Sequence, residues 1–240
     1  MKVNEAKGRL ISTHKINAMR FDIISLFPES FISYLTASIL KRAQEKNLIE
    51  IHRHQLRDFT HDAHKTVDDT PYGGGAGMVL KVEPIAEALS YVKSLVPEKS
   101  TRTILFSAKG KVCTQEDMKR LSGYARLILL CGRYEGVDER VAEYLVDEEL
   151  SIGEYVLTGG EIPALVVVDA VSRLLPGVLG NSASAIDESH SVLGTLEYPQ
   201  YTKPEIWKDK RVPEVLLSGH HSEIEKWRVA QSTKPRSFTV

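Results

Sequence analysis

Two glycine-bearing segments, close together in the chain, carry its most informative chemistry. They are Cys131-Gly132-Arg133-Tyr134-Glu135-Gly136-Val137-Asp138-Glu139-Arg140 and Ser151-Ile152-Gly153-Glu154-Tyr155-Val156-Leu157-Thr158-Gly159-Gly160-Glu161. Each follows or interrupts an apolar, strand-like run and places glycine where a backbone turns tightly or approaches a ligand closely. Neither has the G-x-x-x-x-G-K-[ST] pattern, and no strand leads into G-x-G-x-x-G, which argues against a nucleoside triphosphate or a dinucleotide as ligand. Titratable groups cluster nearby. Between Ser151 and Gln200 stand six acids (Glu154, Glu161, Asp169, Asp187, Glu188 and Glu197) and a single Lys or Arg, Arg173. On their own, Asp187 and Glu188 read as solvated acids, and Arg173 as an ion-pair partner for Asp169 one helical turn earlier. Tyr134 and Tyr155 read equally well as core or as site residues. His52, His54, His61 and His64 are irregularly spaced and have no companion cysteine, so a zinc site is rejected in favour of loop and strand-surface positions.

Composition bounds the rest. At 240 residues, with 42% hydrophobic and 26% charged residues, the chain fits one large domain or a main domain with a small appendage. With a net charge of −1, a nucleic-acid partner must be held by a local basic surface. The best candidate is Tyr201 to Val240, with eight bases against five acids and His220 and His221 besides. Cys113 and Cys131 suggest no disulfide framework and point to a reducing, cytoplasmic setting. The longest apolar run, Ile162 to Val168, is too short to span a bilayer. Residues 1–18 contain Lys2, Lys7, Arg9 and Lys15 without an apolar signal core, and read as an N-terminal extension before Met19 rather than as an organellar address.

Hydrophobic periodicity supplies the elements that must position these groups. Strands are expected at Phe21–Phe27, Leu48–His54, Thr103–Phe106 and Leu127–Leu130. Helices are expected from Pro28 towards Lys46, over Pro84–Val96, after a Thr114/Asp117 cap, over Val137–Leu145 and over Ser222–Gln231. A long polar, glycine-rich loop fills Asp58 to Lys81. Ile162–Leu175 suits a buried helix, although Val166-Val167-Val168 would suit a strand. The alternation argues for an α/β domain with a largely parallel sheet. After Pro176-Gly177 the texture becomes that of a linker, and a boundary falls near residue 181.

Long ordered motifs then identify a resemblance. FDIISLFPE from Phe21, RDFT from Arg57, HKTVDDTPYGGGAGM from His64, CGRYEGVDER, SIGEYVLTGGE, RLLPGVLG from Arg173, YPQYTKP from Tyr198 and VLLSGHHSEIEKWR from Val215 together resemble the bacterial tRNA (guanine-N1)-methyltransferases, TrmD, of the SPOUT class. The likeness runs from Met19 to about Ser232. It implies a SPOUT-type parallel sheet with a deep trefoil knot over residues 19–180, an interdomain linker over 181–198, and a small, mostly helical tRNA-binding domain over 199–240. It also implies a homodimer with active sites at the subunit interface, S-adenosyl-L-methionine as methyl donor, and N1 of guanosine 37 in tRNA as acceptor.

The resemblance assigns roles residue by residue. Donor binding falls on Phe106, Ser107, Ala108, Gly132, Tyr134, Glu135, Ser151, Ile152, Gly153, Glu154, Tyr155, Val156, Leu157, Gly159 and Gly160. The family usually has proline where Ala108 stands. Guanine N1 is protonated at neutral pH, so a general base is required. The family's base is an aspartate followed by Ser-Phe, where this chain has Glu188-Ser189-His190; Glu188 takes that place, with Asp187 as the alternative. Arg173 would stabilise charge developing on guanine O6. Ser189, Glu197, Tyr201, Lys203, Lys226 and Arg228 are expected at the substrate, with Lys208, Lys210 and Arg211 as further phosphate contacts. Glu135 would face the donor's methionine moiety or a magnesium ion; no protein-held metal is assigned. A ribose 2′-O-methyltransferase, a non-catalytic tRNA-binding module and a nucleotide-dependent oxidoreductase are the competing readings.

Overall fold

The computed structural model describes residues 18–96, 100–180, 189 and 196–232. Its strands are β1 (Met19–Ser25), β2 (Ile49–Gln55), a short pair β3 (Asp68–Asp69) and β4 (Val79–Leu80), then β5 (Thr101–Val112), β6 (Arg126–Cys131), β7 (Glu148–Ser151), and a hairpin β8 (Ile206–Trp207) and β9 (Lys210–Arg211). Five of them form one parallel sheet in the order β2-β1-β6-β5-β7. The helices are α1 (Ile32–Leu35), α2 (Ser38–Glu45), α3 (Val82–Leu95), α4 (Gln115–Leu121), α5 (Glu139–Tyr144), α6 (Glu161–Ser172), α7 (Glu214–Leu217) and α8 (His221–Ser232).

The central strand β6 is buried at all six positions, as expected of a parallel strand covered on both faces. Successive side chains alternate between two cores. Leu127, Leu129 and Cys131 join Phe21, Leu121 and Val167, under α2, α4 and α6. Ile128 and Leu130 join Ile24, Ile85 and Leu89, under α3. One charged cluster interrupts this apolar plan. Asp22 is fully buried, within 2.7 Å of both Arg20 and Arg126 and 2.8 Å from His54. Burial opposes its ionisation, but these hydrogen bonds outweigh it and hold the carboxyl far below the usual carboxylate range. Arg126, also fully buried, donates to the carbonyls of Val92 and Val96 at the end of α3. A buried guanidinium thus ties sheet to helix.

Several expectations are revised. The helix after Pro28 is a 3-10 turn (Pro28–Phe31) followed by α1 and α2, with a break at Thr36-Ala37 where Ala37 is extended and Ser38 has φ +47°. The glycine-rich loop contains the β3–β4 pair. β5 continues to Val112, because its polar second half pairs with β7 across a register shift between Phe106 and Lys111. Gly110 permits this: a Cβ there would lie 2.6 Å from the Leu150 carbonyl carbon. β7 was not expected at all, since its Glu148-Glu149 start looks like surface. Residues 162–172 are helical despite three consecutive valines, with Pro163 in the first turn and Val167, Val168 and Val171 fully buried. The Thr114/Asp117 capping box forms as expected. The proline-punctuated stretch before Ser222 holds the β8–β9 hairpin and α7.

Candidate functional site

Both glycine segments begin where a strand ends, on neighbouring parts of the sheet. β6 delivers Gly132 and β7 delivers Ile152, while α6 starts where the second segment stops. The segments touch through backbone. The Gly160 N–H donates to the Gly132 carbonyl at 2.9 Å, and Arg133 forms an isolated bridge with Gly159. Gly160 has an ordinary φ of −82°, so conformation does not demand glycine there. Space does: a Cβ would lie 2.7 Å from Cys131 Cα and 3.0 Å from the Gly132 nitrogen.

This crossing closes one side of a pocket of about 220 Å³. Of the residues expected at the donor, Phe106, Ser107, Ala108, Gly132, Tyr134, Glu135, Ser151, Ile152, Tyr155, Val156, Leu157, Gly159 and Gly160 line it. Gly153 and Glu154 do not. They form the turn behind it, where the Tyr155 ring lies against Gly153 and the Ser151 hydroxyl donates to the Gly153 carbonyl at 2.8 Å. Tyr134 and Tyr155 are half-exposed at the pocket and are not core residues. Tyr134 has φ +60°, and Glu135 packs on Gly77 with its N–H donating to Met78 O at 3.0 Å. The glycine-rich loop therefore buttresses the first segment from outside.

Part of the lining was not legible in the sequence. Lys109 and Glu139 pair across the pocket at 2.6 Å, and that carboxylate raises the lysine's pKa above its usual value. Val137, Glu149, Leu150, Thr158 and Pro163 also contribute. Arg133 lies over the Phe27 ring at 4.7 Å, donates to the Thr158 carbonyl at 3.2 Å and approaches Glu161 to 3.0 Å. Glu161 is buried and also accepts from the Ser25 hydroxyl at 2.7 Å. An Arg directly after Gly132 and a Glu directly after Gly160 were the available signal. Burial pushes the Cys131 thiol well above its usual range, leaving it inert.

Arg173 does not line the pocket. It caps the far end of α6, its N–H donating to Asp169 O at 3.1 Å, while the Asp169 carboxylate accepts from Tyr34 at 2.9 Å. Pro163 is the last residue of the helix on the pocket, so its axis sets Arg173 about 15 Å further on, at about 1.5 Å per residue. Glu188 and Asp187 lie outside the described residues. Ser189 accepts the Glu197 N–H at 2.8 Å, and the Glu197 carboxylate accepts from Gln200 at 2.7 Å. The Tyr201 and Trp227 rings are 6.3 Å apart, and Arg228 lies over Tyr198 at 4.8 Å. Lys226 pairs with Glu223 at 3.0 Å, and Lys203 is exposed. Among the histidines, His54 contacts the buried Asp22 and is no surface residue, while His61 is 2.9 Å from Glu87. No helix among the described residues is long and apolar enough to cross a membrane.

Comparison with known proteins identifies the family. The family model of tRNA (guanine-1)-methyltransferase TrmD matches residues 19–238. A tRNA (guanine-N(1)-)-methyltransferase of Chloroflexus aurantiacus is 57% identical over 213 residues, covering 89% of this chain and 83% of the relative. Those of Ruminiclostridium cellulolyticum and Dehalococcoides mccartyi are 53% and 51% identical, covering 89% and 90% of this chain and 91% and 86% of theirs. With a match spanning both glycine segments, α6 and the C-terminal helices, the chain belongs to the tRNA (guanine-1)-methyltransferase family, TrmD.

Proposed function

We propose that this enzyme transfers a methyl group from S-adenosyl-L-methionine to N1 of guanosine 37 of tRNA. The observation that carries the reading is the single pocket shared by both glycine segments. Four glycines, Gly132, Gly136, Gly159 and Gly160, line it, so an adenosyl group can approach peptide N–H and C=O groups there without a side-chain fingerprint. Leu150, Leu157 and Pro163 supply apolar surface, and Glu135 and Glu149, beside the Lys109–Glu139 pair, suit a sulfonium and an ammonium group. The same carboxylates would repel a triphosphate. We assign Glu135 to the methionine end of the donor; magnesium, if it takes part, would meet the same carboxylate.

The remaining chemistry belongs to the acceptor. Glu188 takes the N1 proton of guanine, with Asp187 as the alternative base, while the N1–methyl bond forms and the sulfur–methyl bond breaks, releasing S-adenosylhomocysteine. Arg173 stabilises negative charge on O6 as N1 loses its proton. An arginine reaches a few ångströms, yet about 15 Å of helix separates Arg173 from Pro163 on its own pocket. Arg173 therefore serves the pocket of a second copy; the linker base is assigned to that same pocket, which makes the active site composite. Exposed Ile32, Tyr34, Ile162 and Val166 on α1 and α6 offer an apolar face for such a homodimer. In this reading residues 19–180 form the knotted donor-binding domain and 181–198 the linker. Residues 199–240 form the tRNA-binding domain, contacting RNA through Lys203, Lys226 and Arg228 with Ser189, Glu197 and Tyr201 nearer the acceptor, and the enzyme works in the cytoplasm.

The test is radiolabelled methyl transfer to a tRNA with guanosine 37 and to one without it, followed by mass analysis of the nucleoside. Product only on the first tRNA, as N1-methylguanosine, is expected; a 2′-O-methyl product would overturn the assignment. Glu188→Gln abolishes transfer while sparing donor affinity. Strong residual activity would move the base to Asp187.

A further inference from the structure

The Arg133–Glu161 contact joins the two glycine segments but leaves Glu161 behind the pocket wall. Three chain segments distant in sequence meet there: Ser25 at the end of β1, Arg133 just past β6, and Glu161 in the first turn of α6. Ser25 is fully buried and Glu161 nearly so; the Ser25 hydroxyl donates to Glu161 Oε1 at 2.7 Å. Glu161 Oε2 lies 3.0 Å from Arg133 Nε, a close charge contact rather than an aligned hydrogen bond. The guanidinium then reaches forward to Thr158 O at 3.2 Å. The Thr158–Gly160 wall is laid directly on this pair, since a Cβ at Gly159 would collide with both Arg133 and Glu161. Arg133, Thr158 and Gly159 line the pocket, whereas Ser25 and Glu161 do not.

We propose that Glu161, anchored by Ser25, is a positioning residue that sets the donor pocket by fixing the orientation of Arg133 and, through it, the Thr158–Gly160 wall. Stability alone does not explain the arrangement: a buried ion pair is commonly matched or bettered by apolar groups of the same volume. What an ion pair adds is direction. Here the carboxylate sits at the start of α6, where the helix dipole favours it, and it selects one guanidinium orientation from many. A binding wall must be held to about half an ångström, and displacements near 1 Å cost on the order of a hundredfold in rate. Glu161 thus acts on the ligand without touching it.

This inference rests on the donor reading of the pocket, and the test separates the two. Binding of S-adenosylhomocysteine to the full chain is measured by calorimetry for the parent, Glu161→Gln, Arg133→Gln and the double variant, alongside thermal melts. The parent binds. Glu161→Gln weakens binding about tenfold, and the double variant is weaker than Arg133→Gln by less than about twofold, because both changes release the same wall. A purely structural role would lower the melt and leave the affinity of the folded protein unchanged; affinity within about twofold of the parent in Glu161→Gln overturns the proposal. If that variant does not fold, Ser25→Ala decides: an expected loss of about threefold supports the anchor, and an unchanged dissociation constant refutes it. A parent that binds no S-adenosylhomocysteine sinks the donor reading itself, and this inference with it.

Discussion

Replacing Gly160 by alanine tests whether the two glycine segments must touch. The backbone at this position already suits alanine, with φ −82° and ψ −1°, so the substitution introduces a steric conflict and little else. The new Cβ would stand 2.7 Å from Cys131 Cα, and ordinary contact begins near 3.4 Å, so the second segment must retreat by about 0.7 Å. The opposing atoms are backbone of the central strand and cannot swing aside. Retreat stretches the 2.9 Å Gly160-to-Gly132 hydrogen bond to roughly 3.6 Å, beyond useful length. Losing that bond costs about 1 kcal/mol, and overpacking adds about 1–3 kcal/mol. For a chain of this size the sum lowers Tm by on the order of 10 °C. Donor-product affinity, measured by calorimetry on the folded protein, falls at least about tenfold as the wall opens. Gly180→Ala is the control: nothing lies within 4 Å of its Cβ, and it should melt like the parent. A Gly160→Ala protein with Tm within about 2 °C of the parent and full affinity would refute the steric argument.

Other perturbations address the frame and the RNA. Burial disfavours ionised Asp117, but hydrogen bonds from Lys111 and Thr114 dominate and hold its carboxyl down from 3.8 to about 2. The unfolded chain takes up this proton first as pH falls, so the contribution, on the order of 2 kcal/mol, is complete above about pH 5 and disappears between about pH 4 and 2. Asp117→Asn should flatten acid denaturation over that window, as read by urea midpoints at stepped pH. Asp22→Ala strands Arg126 in the interior and should cost about 3–5 kcal/mol, while Asp22→Ala with Arg126→Met recovers part of the loss; equal urea stability of the two proteins would show that the pair is not coupled. Lys226→Ala should weaken tRNA binding without altering nucleotide preference and reduce the slope of log affinity against log salt by about one, an unchanged slope excluding a phosphate contact.

The elements that periodicity located were those whose side chains decide their fate locally. β6 is apolar at every buried position but its first, α3 has a clear stripe, and the Thr114/Asp117 pair caps α4 from within four residues. β7 and the second half of β5 escaped because partners distant in sequence make them strands; Lys109-Gly110-Lys111 and Glu148-Glu149 have no strand signal of their own. The helical state of Val166-Val167-Val168 was likewise settled by the packing of Val167, Val168 and Val171 into one core while Val166 stays exposed, against their β preference. For the pocket, glycine spacing marked the segments, and the resemblance supplied the role. Neither indicated that Arg133 and Glu161 would meet, because that contact depends on how β1, β6 and α6 converge. The distance between Arg173 and the pocket was equally hidden, since their nearness in sequence says nothing about the length of the helix between them.

The margins of the sheet have a consequence for behaviour at high concentration. One outer strand, β7, is only four residues long and opens with Glu148-Glu149, and the other, β2, exposes Glu50, His52 and Arg53. Short or charged margins resist recruitment of a further strand from a neighbouring chain, the step that seeds fibrillar aggregates. Growth by strand addition is therefore blocked at both sides. The helical faces are left as the surface on which copies could meet, and association there can close into a finite assembly instead of propagating.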